Sequence, residues 1–410
     1  MEKTAAKNSA LLFIFFTILI DMIGVGIIIP VVPELIATLT GQTLSEAALT
    51  GGYLISSYAA AQFLFAPVMG EFSDKYGRKT ILLLSLLGLG IDYFIHAFAT
   101  TIGWLFLGRI IAGVFGASHT VATAYVADVS TKENKAKNFG IIGAAFGLGF
   151  VIGPAIGGFI GESYGLTAPF FVAGGFSLLN FLFGFFFLKE SLPKNKRREI
   201  NYTKMIPFVS LAHIAKYKAV LGFVFAFTLA NLAGQVMFST WTFYTMERYS
   251  WGKLEVGVSL MVVGFLVSIV QAFLTGFMVK KFGNRKVIAL GFTCWTLGMF
   301  AFAFAANSFY LYAIMVPYVI GGIAGPTLQG IVSNQVKENE QGNVQGVLTS
   351  LVSLTAIVGP MIYTALFHKF TRPNTTLYFP GAPYLLAGCI LVIATIIALY
   401  SLKTIVKTTH

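Results

Sequence analysis

Long runs of apolar residues, separated by short polar connections, recur along the whole chain. Each run holds about 18 residues or more with few charges, which is the length that a helix needs to cross the roughly 30 Å hydrocarbon core of a bilayer. The pattern therefore predicts an all-α membrane protein with twelve transmembrane helices. The predicted spans are 9–33, 49–69, 80–99, 104–127, 139–161, 168–188, 218–243, 255–279, 287–306, 310–333, 344–366 and 383–402.

Composition supports a membrane protein and argues against a soluble enzyme. Hydrophobic residues make up 56% of the chain and charged residues only 11%, whereas soluble domains average about 25% charged residues. The two cysteines, Cys294 and Cys389, lie far apart in apolar runs. They exclude a disulfide scaffold and a cysteine-rich metal module, and we expect no metal site.

Lysine and arginine residues are distributed unequally between the two faces that twelve spans define. Of the 28 such residues, Arg248, Lys253, Lys369 and Arg372 lie on one face and Arg109 lies within a span. The other 23 lie on the face that carries both termini. The positive-inside rule therefore predicts cytoplasmic termini. The same distribution explains the net charge of +12 without a nucleic-acid partner.

Two unrelated motifs recur at one fixed spacing. The segment GEFSDKYGRK, which begins at Gly70, recurs in a variant form from Gly276. A Gly-Pro pair at Gly153 recurs at Gly359, and both offsets are 206 residues. A shared offset indicates that a six-helix unit has been duplicated.

The duplication predicts a domain organisation of two six-helix bundles. We assign residues 1–188 to the N-terminal bundle, 189–217 to a cytoplasmic linker and 218–410 to the C-terminal bundle. Parallel repeats of this kind, with the substrate site near the bilayer midplane between them, define the major facilitator fold.

The repeated motifs supply candidate gating residues. Glycines permit tight turns and close helix approach, a proline bends a helix, and an acid and a base in one loop can pair or face helix ends. The alternatives are an ordinary basic turn and generic glycine packing. The predicted gating residues are Gly70, Asp74, Gly77, Arg78, Lys79, Gly147, Gly153, Pro154, Gly157 and Gly158.

Five ionisable residues fall inside the predicted spans: Asp21, Asp92, Arg109, His96 and His119. A charge inside the membrane is costly and marks an ion or substrate path. At 1.5 Å per residue, both aspartates lie about 18 Å above the cytoplasmic face and the arginine lies about 22 Å above it. We predict that one aspartate carries a coupling proton while the arginine senses its charge. The alternatives are a static ion pair and, for the histidines, simple hydrogen bonding rather than proton relay.

Polar and aromatic side chains within spans supply candidates for a substrate cavity. Exposing an amide to lipid leaves polar atoms unsatisfied, so these amides line a cavity or pack between helices, and an indole can stack on a planar substrate. The predicted cavity residues are Gln62, Asn231, Gln235, Trp241, Gln271 and Gln329.

Several stretches, in order along nearly the whole chain, resemble the twelve-span tetracycline/proton antiporters of the major facilitator superfamily. The resemblance implies proton-coupled export of a small drug-like molecule by alternating access, from a bacterial-type inner membrane, with the proton as coupling ion and no other cofactor. It also implies that Asp74 and Arg78 gate the motion, that Arg109 supports coupling, and that the Gly153-Pro154 helix is of antiporter type. The matching stretches are 21–33, 62–79, 86–93, 107–113, 153–158, 328–331 and 341–346.

The chain departs from that family in its C-terminal half. Where the tetracycline antiporters carry a histidine and an aspartate, this sequence has Val267 and Trp295. All proton chemistry is therefore expected in the N-terminal half, and the substrate is tetracycline or another lipophilic compound. We expect a monomer that contacts lipid and a small-molecule substrate. A proton-coupled symporter or facilitator for a nutrient is the alternative, whereas a membrane enzyme or receptor is disfavoured because no catalytic motif occurs.

Overall fold

A computed structural model describes residues 2–116, 118–131, 134–205, 221–335 and 341–408. Every regular element in these ranges is helical, and no strand occurs in them. The all-α prediction is therefore confirmed. The first half forms α1 (Glu2–Ile28), α2 (Val32–Thr40), α3 (Leu44–Tyr76), α4 (Arg78–Ala97), α5 (Ile102–Phe115), α6 (Ser118–Val129), α7 (Lys135–Tyr164) and α8 (Ala168–Phe187).

The second half repeats this succession of long helices. A five-residue π-helix, Val270–Leu274, follows α10 directly and leads into α11. The helices are α9 (Leu221–Tyr249), α10 (Lys253–Ile269), α11 (Thr275–Phe304), α12 (Ser308–Gly321), α13 (Ala324–Asn334), α14 (Gln341–Thr371) and α15 (Ala382–Thr408).

Ten helical stretches in the described ranges are long and apolar enough to cross a membrane. One of them, Lys253–Phe304, has 52 residues, and helix α3 is a further 33-residue helix outside the ten. Two other stretches each combine a pair of consecutive helices, α5 with α6 and α12 with α13. The chain is therefore a helical protein with about ten to twelve candidate spans.

Irregularities of the backbone repeat at the offset of 206 residues that the sequence shows. Gly77, between α3 and α4, has φ 104°, and Gly283, inside α11, has φ 75°. Both positions need glycine because other residues rarely adopt such angles. Gly116 ends α5 and Gly322 ends α12, again 206 positions apart. The duplicated sequence therefore has the same breaks in its helices.

The residues group into two compact units. Unit 1 contains 1–42, 57–207 and 251–264, and unit 2 contains 43–56, 208–250 and 265–410. Each unit therefore includes one short segment from the other half of the sequence. These two segments, Thr43–Ser56 and Trp251–Gly264, occupy nearly equivalent places in the two repeats.

Glycines bring α1 and α7 together in unit 1. A Cβ atom on Gly153 would lie 2.9 Å from the Cα of Gly26, and one on Gly157 would lie 2.7 Å from the Cα of Ile27. Real Cβ contacts are not that short, so the two backbones approach each other only because these positions lack side chains. This packing holds the C-terminal end of α1 against α7.

Aromatic rings fill the interior of unit 2. The ring centroids of Trp241 and Phe302 are 5.4 Å apart, and those of Tyr244 and Tyr384 are 4.8 Å apart. The hydroxyl of Tyr244 donates to the backbone oxygen of Phe302 at 2.6 Å. The cluster therefore joins α9, α11 and α15 and satisfies a buried hydroxyl.

Candidate functional site

An ion pair between α4 and α5 lies at the centre of unit 1. The guanidinium of Arg109 contacts the carboxylate of Asp92, whose side chain is fully buried. His96, one turn after Asp92, places its Nδ1 atom 2.9 Å from the backbone oxygen of Asp92 and 2.9 Å from its Oδ1 atom. Three of the five predicted proton-coupling residues are therefore in one cluster.

A glycine makes this cluster possible. Helices α4 and α5 are joined by a short connection, so Asp92 near the end of α4 faces residues near the start of α5. A Cβ atom on Gly108 would lie 2.6 Å from the Asp92 Oδ1 and 2.6 Å from the His96 Nδ1. Only glycine at this position lets the two helices come close enough for Arg109 to reach Asp92.

The cluster retains unused hydrogen-bonding capacity. The Oδ1 atom of Asp92 lies 2.9 Å from the Nδ1 of His96 but makes no hydrogen bond of regular geometry among the described residues. The Nε of Arg109 is also buried without a hydrogen-bond partner among those residues. A buried polar atom without a hydrogen bond is unfavourable, so this arrangement leaves the buried ion pair incompletely satisfied.

Tyr58 on α3 contacts the arginine, and Gln62 on the same helix contacts Tyr58. The guanidinium carbon of Arg109 lies 5.8 Å from the ring centroid of Tyr58, a cation–π contact. Gln62 donates to the Tyr58 hydroxyl at 3.1 Å and to the backbone oxygen of Gly116 at 2.9 Å. Gln62, predicted as a cavity residue, thus lies next to the ion pair. Tyr58 was not predicted, although its position four residues before Gln62 is a usable signal.

Asp21 on α1 is also buried, with 8% of its surface exposed. The charges of Asp21, Asp92 and Arg109 all act on the phenol of Tyr58. The hydroxyl of Tyr93, the residue after Asp92, lies 3.0 Å from the Cβ position of Gly24 on α1. Both aspartates and the arginine are therefore within electrostatic range of one side chain. The side chain of His119 lies outside the described residues.

A second charged cluster is formed by the predicted gating loop. Arg78 pairs with Asp74 at 2.5 Å and with Asp128 at 3.2 Å. The backbone N–H groups of Arg78 and Lys79 donate to the carboxylate of Glu190 at 2.9 and 3.3 Å. This carboxylate therefore accepts from the start of α4, where a negative charge is favourable.

The first part of the predicted linker contacts the same loop. Arg198 pairs with Asp74 and, at 2.8 Å, with Glu71. Hydrogen bonding to Asp74 raises the pKa of Arg198 above its ordinary value, and the nearby charges of Asp74 and Glu71 add to this effect. Residues 206–217 of the linker lie outside the described residues.

The predicted gating glycines differ in what surrounds them. Gly77 has a positive φ, and a Cβ there would lie 2.7 Å from Arg197. A Cβ on Gly158 would lie 3.1 Å from the Cα of Leu254, so Gly158 packs closely against α10. At Gly70 no atom lies within 4 Å of the added Cβ, so the structure gives no steric reason for glycine there.

The remaining predicted gating residues have other surroundings. Lys79 donates to the backbone oxygen of Phe185 at 2.9 Å. Gly147 and Pro154 lie within α7.

A third charged cluster in unit 1 was not predicted. The Nζ of Lys253, at the start of α10, lies 2.8 Å from Glu34 and 3.7 Å from Glu162. The backbone N–H of Lys253 also donates to Glu162 at 3.3 Å. Residues so distant in sequence give no local signal that they meet.

Unit 2 contains a cavity of about 280 Å³. Three of the predicted cavity residues, Asn231, Gln271 and Gln329, line it together with Trp295. The other two predicted residues of this unit do not line this cavity. The side chain of Gln235 packs against Gly359, with its Cβ 2.6 Å from the Cβ position of the glycine, and Trp241 lies in the aromatic cluster.

The two repeats differ in their charges. The positions 206 residues after Asp92 and Arg109 are Gly298 and Met315. The lining of the unit 2 cavity contains no charged residue. Within the described residues, no group of three or more histidine, cysteine, aspartate or glutamate side chains could hold a metal ion.

Comparison with known proteins identifies the family. Residues 14–276 and 259–409 match the Major Facilitator Superfamily. The chain is 39% identical to "Tetracycline resistance protein, class C" of Escherichia coli, over 88% of this chain and 90% of that protein. It is 29% identical to "Multidrug resistance protein 2" of Bacillus subtilis (strain 168), over 96% of this chain and 95% of that protein.

Solved structures show the same fold. The chain matches a bacterial homolog of the human lysosomal transporter Spinster with a TM-score of 0.80 and 16% identity, over 98% of each chain. The family match and the sequence relatives confirm the predicted class of function, which is proton-coupled export of a drug-like molecule, and they identify a transporter rather than an enzyme. The chain belongs to the major facilitator superfamily and is a multi-pass membrane transporter related to the tetracycline resistance proteins.

Proposed function

We propose that the chain is a tetracycline/proton antiporter in which Asp92 carries the coupling proton. The observation that carries this proposal is the fully buried Asp92 carboxylate, which is held by Arg109 and lies 2.9 Å from the Nδ1 of His96. Relatives named for tetracycline resistance, 34–39% identical to the chain, support tetracycline as the compound exported.

The proposed proton step follows from the chemistry of the pair. A carboxylate can be protonated, whereas a guanidinium keeps its charge at every physiological pH. Protonation of Asp92 therefore removes the partner of Arg109 and leaves a buried cation that must find another anion. Asp21, which acts electrostatically on the same tyrosine as Arg109, is the proposed second partner. Proton uptake and release would thus move Arg109 between two aspartates.

The gating roles proposed from the sequence fit this scheme. We propose that the pairs of Asp74 with Arg78 and Arg198 close the cytoplasmic end of unit 1. Gly153, Pro154, Gly157 and Gly158 are proposed to let α7 move against α1 and α10, since they form the close contacts of these helices.

We propose a topology of twelve spans with cytoplasmic termini in an inner membrane. Helix stretch Lys253–Phe304 has 52 residues, or about 78 Å at 1.5 Å per residue, which is enough for two spans of a roughly 30 Å core. Its break at Gly283 divides it, and α3 with 33 residues supplies a further span. The concentration of lysine and arginine on one face supports the orientation. We also propose that the transporter acts as a monomer.

Transport into vesicles tests the proposal. The purified full chain is placed in lipid vesicles, and tetracycline accumulation is followed after a pH gradient is imposed. We expect accumulation that collapses when the gradient is removed, and a loss of at least about tenfold in Asp92→Asn, because an amide cannot exchange the proton. Glu199→Gln is the matched control, since the Glu199 side chain is 94% exposed. Gradient-driven accumulation that persists in Asp92→Asn would contradict the assignment of the proton to Asp92, and accumulation that persists in both Asp92→Asn and Asp21→Asn would contradict proton transfer by either aspartate.

A further inference from the structure

The side chain of His96 on α4 is held in one orientation by neighbours on two other helices. Its ring stacks on that of Phe170 on α8, with 5.4 Å between the ring centroids and 15° between the ring planes. On α5, a Cβ atom on Gly108 would lie 2.4 Å from the Cε1 atom of His96. The ring therefore packs against both helices, and this packing keeps its Nδ1 atom next to Asp92 on its own helix.

The surroundings of Nδ1 decide which nitrogen of the His96 ring carries hydrogen. Nδ1 lies 2.9 Å from two oxygen atoms of Asp92, the backbone oxygen and the carboxylate Oδ1. A backbone carbonyl oxygen never donates a hydrogen bond, and neither does an ionised carboxylate. Nδ1 therefore carries the hydrogen while Asp92 is ionised, and Nε2 is the nitrogen with a free lone pair in the neutral ring.

The carboxylate of Asp92 is closed to water. Its side chain has no exposed surface, whereas the side chains of His96 and Arg109 are 4% and 18% exposed. In this conformation, a proton that moves between water and Asp92 must therefore pass through a neighbouring group. Arg109 cannot serve, because a guanidinium keeps its protons at every physiological pH. The imidazole of His96 can, because it gains and loses a proton in that range.

The charged groups around His96 favour Asp92 as its proton partner. Helix α8, on which the ring stacks, contains no ionisable residue. The charged residue of α5 is Arg109, which binds Asp92. Helix α6 brings Asp128 to Arg78 at the opposite end of α4, about 27 Å from His96 at 1.5 Å per residue. Asp92, at 2.9 Å, is therefore the acid that the geometry provides.

We propose that His96 relays the coupling proton between water and Asp92. A proton from water binds at Nε2 of the neutral ring, the bond between Nδ1 and its hydrogen breaks, and that hydrogen forms a bond with Oδ1 of Asp92. The ring is then neutral again with its hydrogen on Nε2, and the reverse sequence releases the proton. The carboxylate can align with Nδ1 because the terminal torsion of an aspartate is soft. This inference rests on the proposed function, since it supplies the route for the proton that Asp92 carries.

The rate at which Asp92 becomes protonated tests the relay. The purified full chain in detergent is mixed rapidly with acid, and the carbonyl stretch of protonated carboxyl groups is followed by infrared spectroscopy. The part of this band that disappears in Asp92→Asn belongs to Asp92. In His96→Gln we expect that part to rise at least about tenfold more slowly, because a positioned acid–base group accelerates proton transfer about 10²–10⁴-fold. A purely structural role for His96 would lower the unfolding temperature and leave this rate unchanged.

A control variant and a second measurement support the assignment. The amide of His96→Gln can still donate to the backbone oxygen of Asp92, but it does not act as an acid or base. His368→Gln makes the same change where the ring nitrogen hydrogen-bonds to Ser45 rather than to an acid, and it should leave the rate unchanged. The second measurement needs no change at position 96. Nitrogen NMR of histidine-labelled protein in alkaline buffer should show hydrogen on Nδ1 of His96, whose signal is the one that shifts in Asp92→Asn.

An unchanged rate of Asp92 protonation in His96→Gln would overturn the relay, and so would a neutral His96 ring with its hydrogen on Nε2. Either result leaves Asp92 as the proton carrier, because the band that Asp92→Asn removes is still present. If the unchanged chain has no such band, Asp92 is not the carrier, and the proposed function fails together with the relay. The NMR result decides the question if His96→Gln does not fold. Neither measurement uses tetracycline or a pH gradient, so the identity of the exported compound does not affect the outcome.

Discussion

Arg109 on α5 reaches across the narrow contact at Gly108 to pair with Asp92, which is fully buried on α4. The two residues depend on each other, because loss of one partner leaves an isolated buried charge. Breaking a buried pair in this way costs about 3–5 kcal/mol, whereas removing both charges is often nearly neutral. The pair therefore allows a test that separates charge balance from the fold itself.

Arg109→Gln should destabilise the protein strongly, and adding Asp92→Asn should restore much of the loss. The single variant leaves the Asp92 carboxylate without its cation, at a cost of about 3–5 kcal/mol, while the double variant places two neutral amides in contact. Thermal unfolding in detergent measures both. A double variant that unfolds at the same temperature as Arg109→Gln would mean that the charge of Asp92 is not balanced by Arg109.

Gly108→Ala should disrupt the same cluster without altering any charge. The added methyl would lie 2.6 Å from Asp92 Oδ1, so α4 and α5 must separate, at a cost of about 1–3 kcal/mol for overpacking. We expect gradient-driven transport to fall while the protein still inserts in the membrane. Gly175→Ala is the matched control, because no atom lies within 4 Å of its added Cβ and alanine favours a helix. Full transport in Gly108→Ala would contradict the role assigned to this contact.

The equivalent glycines Gly77 and Gly283 should differ in their response to alanine. Both have positive φ, so each substitution carries backbone strain of about 1–3 kcal/mol. At Gly77 the methyl also meets Arg197 at 2.7 Å, whereas at Gly283 no atom lies within 4 Å. We therefore expect Gly77→Ala to lower the unfolding temperature more than Gly283→Ala does. Equal effects would show that strain alone matters and that the linker contact is unimportant.

Much of this architecture follows from local pattern and from the internal repeat. Apolar runs predict the long helices, and the offset of 206 residues predicts Gly77 and Gly283 in equivalent places, where the structure has breaks. The repeated prolines, Pro154 and Pro360, lie inside continuous helices instead. The helix α2, Val32–Thr40, is not predicted, because its length of 9 residues is too short to span a membrane and the apolar run before it appears continuous. The helix breaks at Gly116 and Gly322 are likewise hidden within apolar runs.

The residues of the candidate sites also fall into those that the sequence predicts and those that it does not. Asp92, His96 and Arg109 are predictable because the cost of a buried charge makes each one conspicuous and because a short hairpin brings them to one depth. The contacts of Lys253 with Glu34 and of Arg198 with Asp74 are not predictable from one sequence, since 219 and 124 residues separate the partners. Gln235 and Trp241 were predicted to line the cavity because one is polar and the other is planar, but neither lines it. Neither property shows which neighbouring helix the residue packs against.

The placement of charge in only one of the two repeats has a consequence for how such a transporter can change over evolution. The first repeat has Asp92 and Arg109, while the second has Gly298 and Met315 at the matching sites. Under the proposed function, substitutions at the predicted cavity residues of unit 2 can alter which compound is accepted without changing the groups that exchange the proton. Resistance to a new antibiotic would then arise by mutation in the second repeat, while proton coupling by the first repeat stays unchanged.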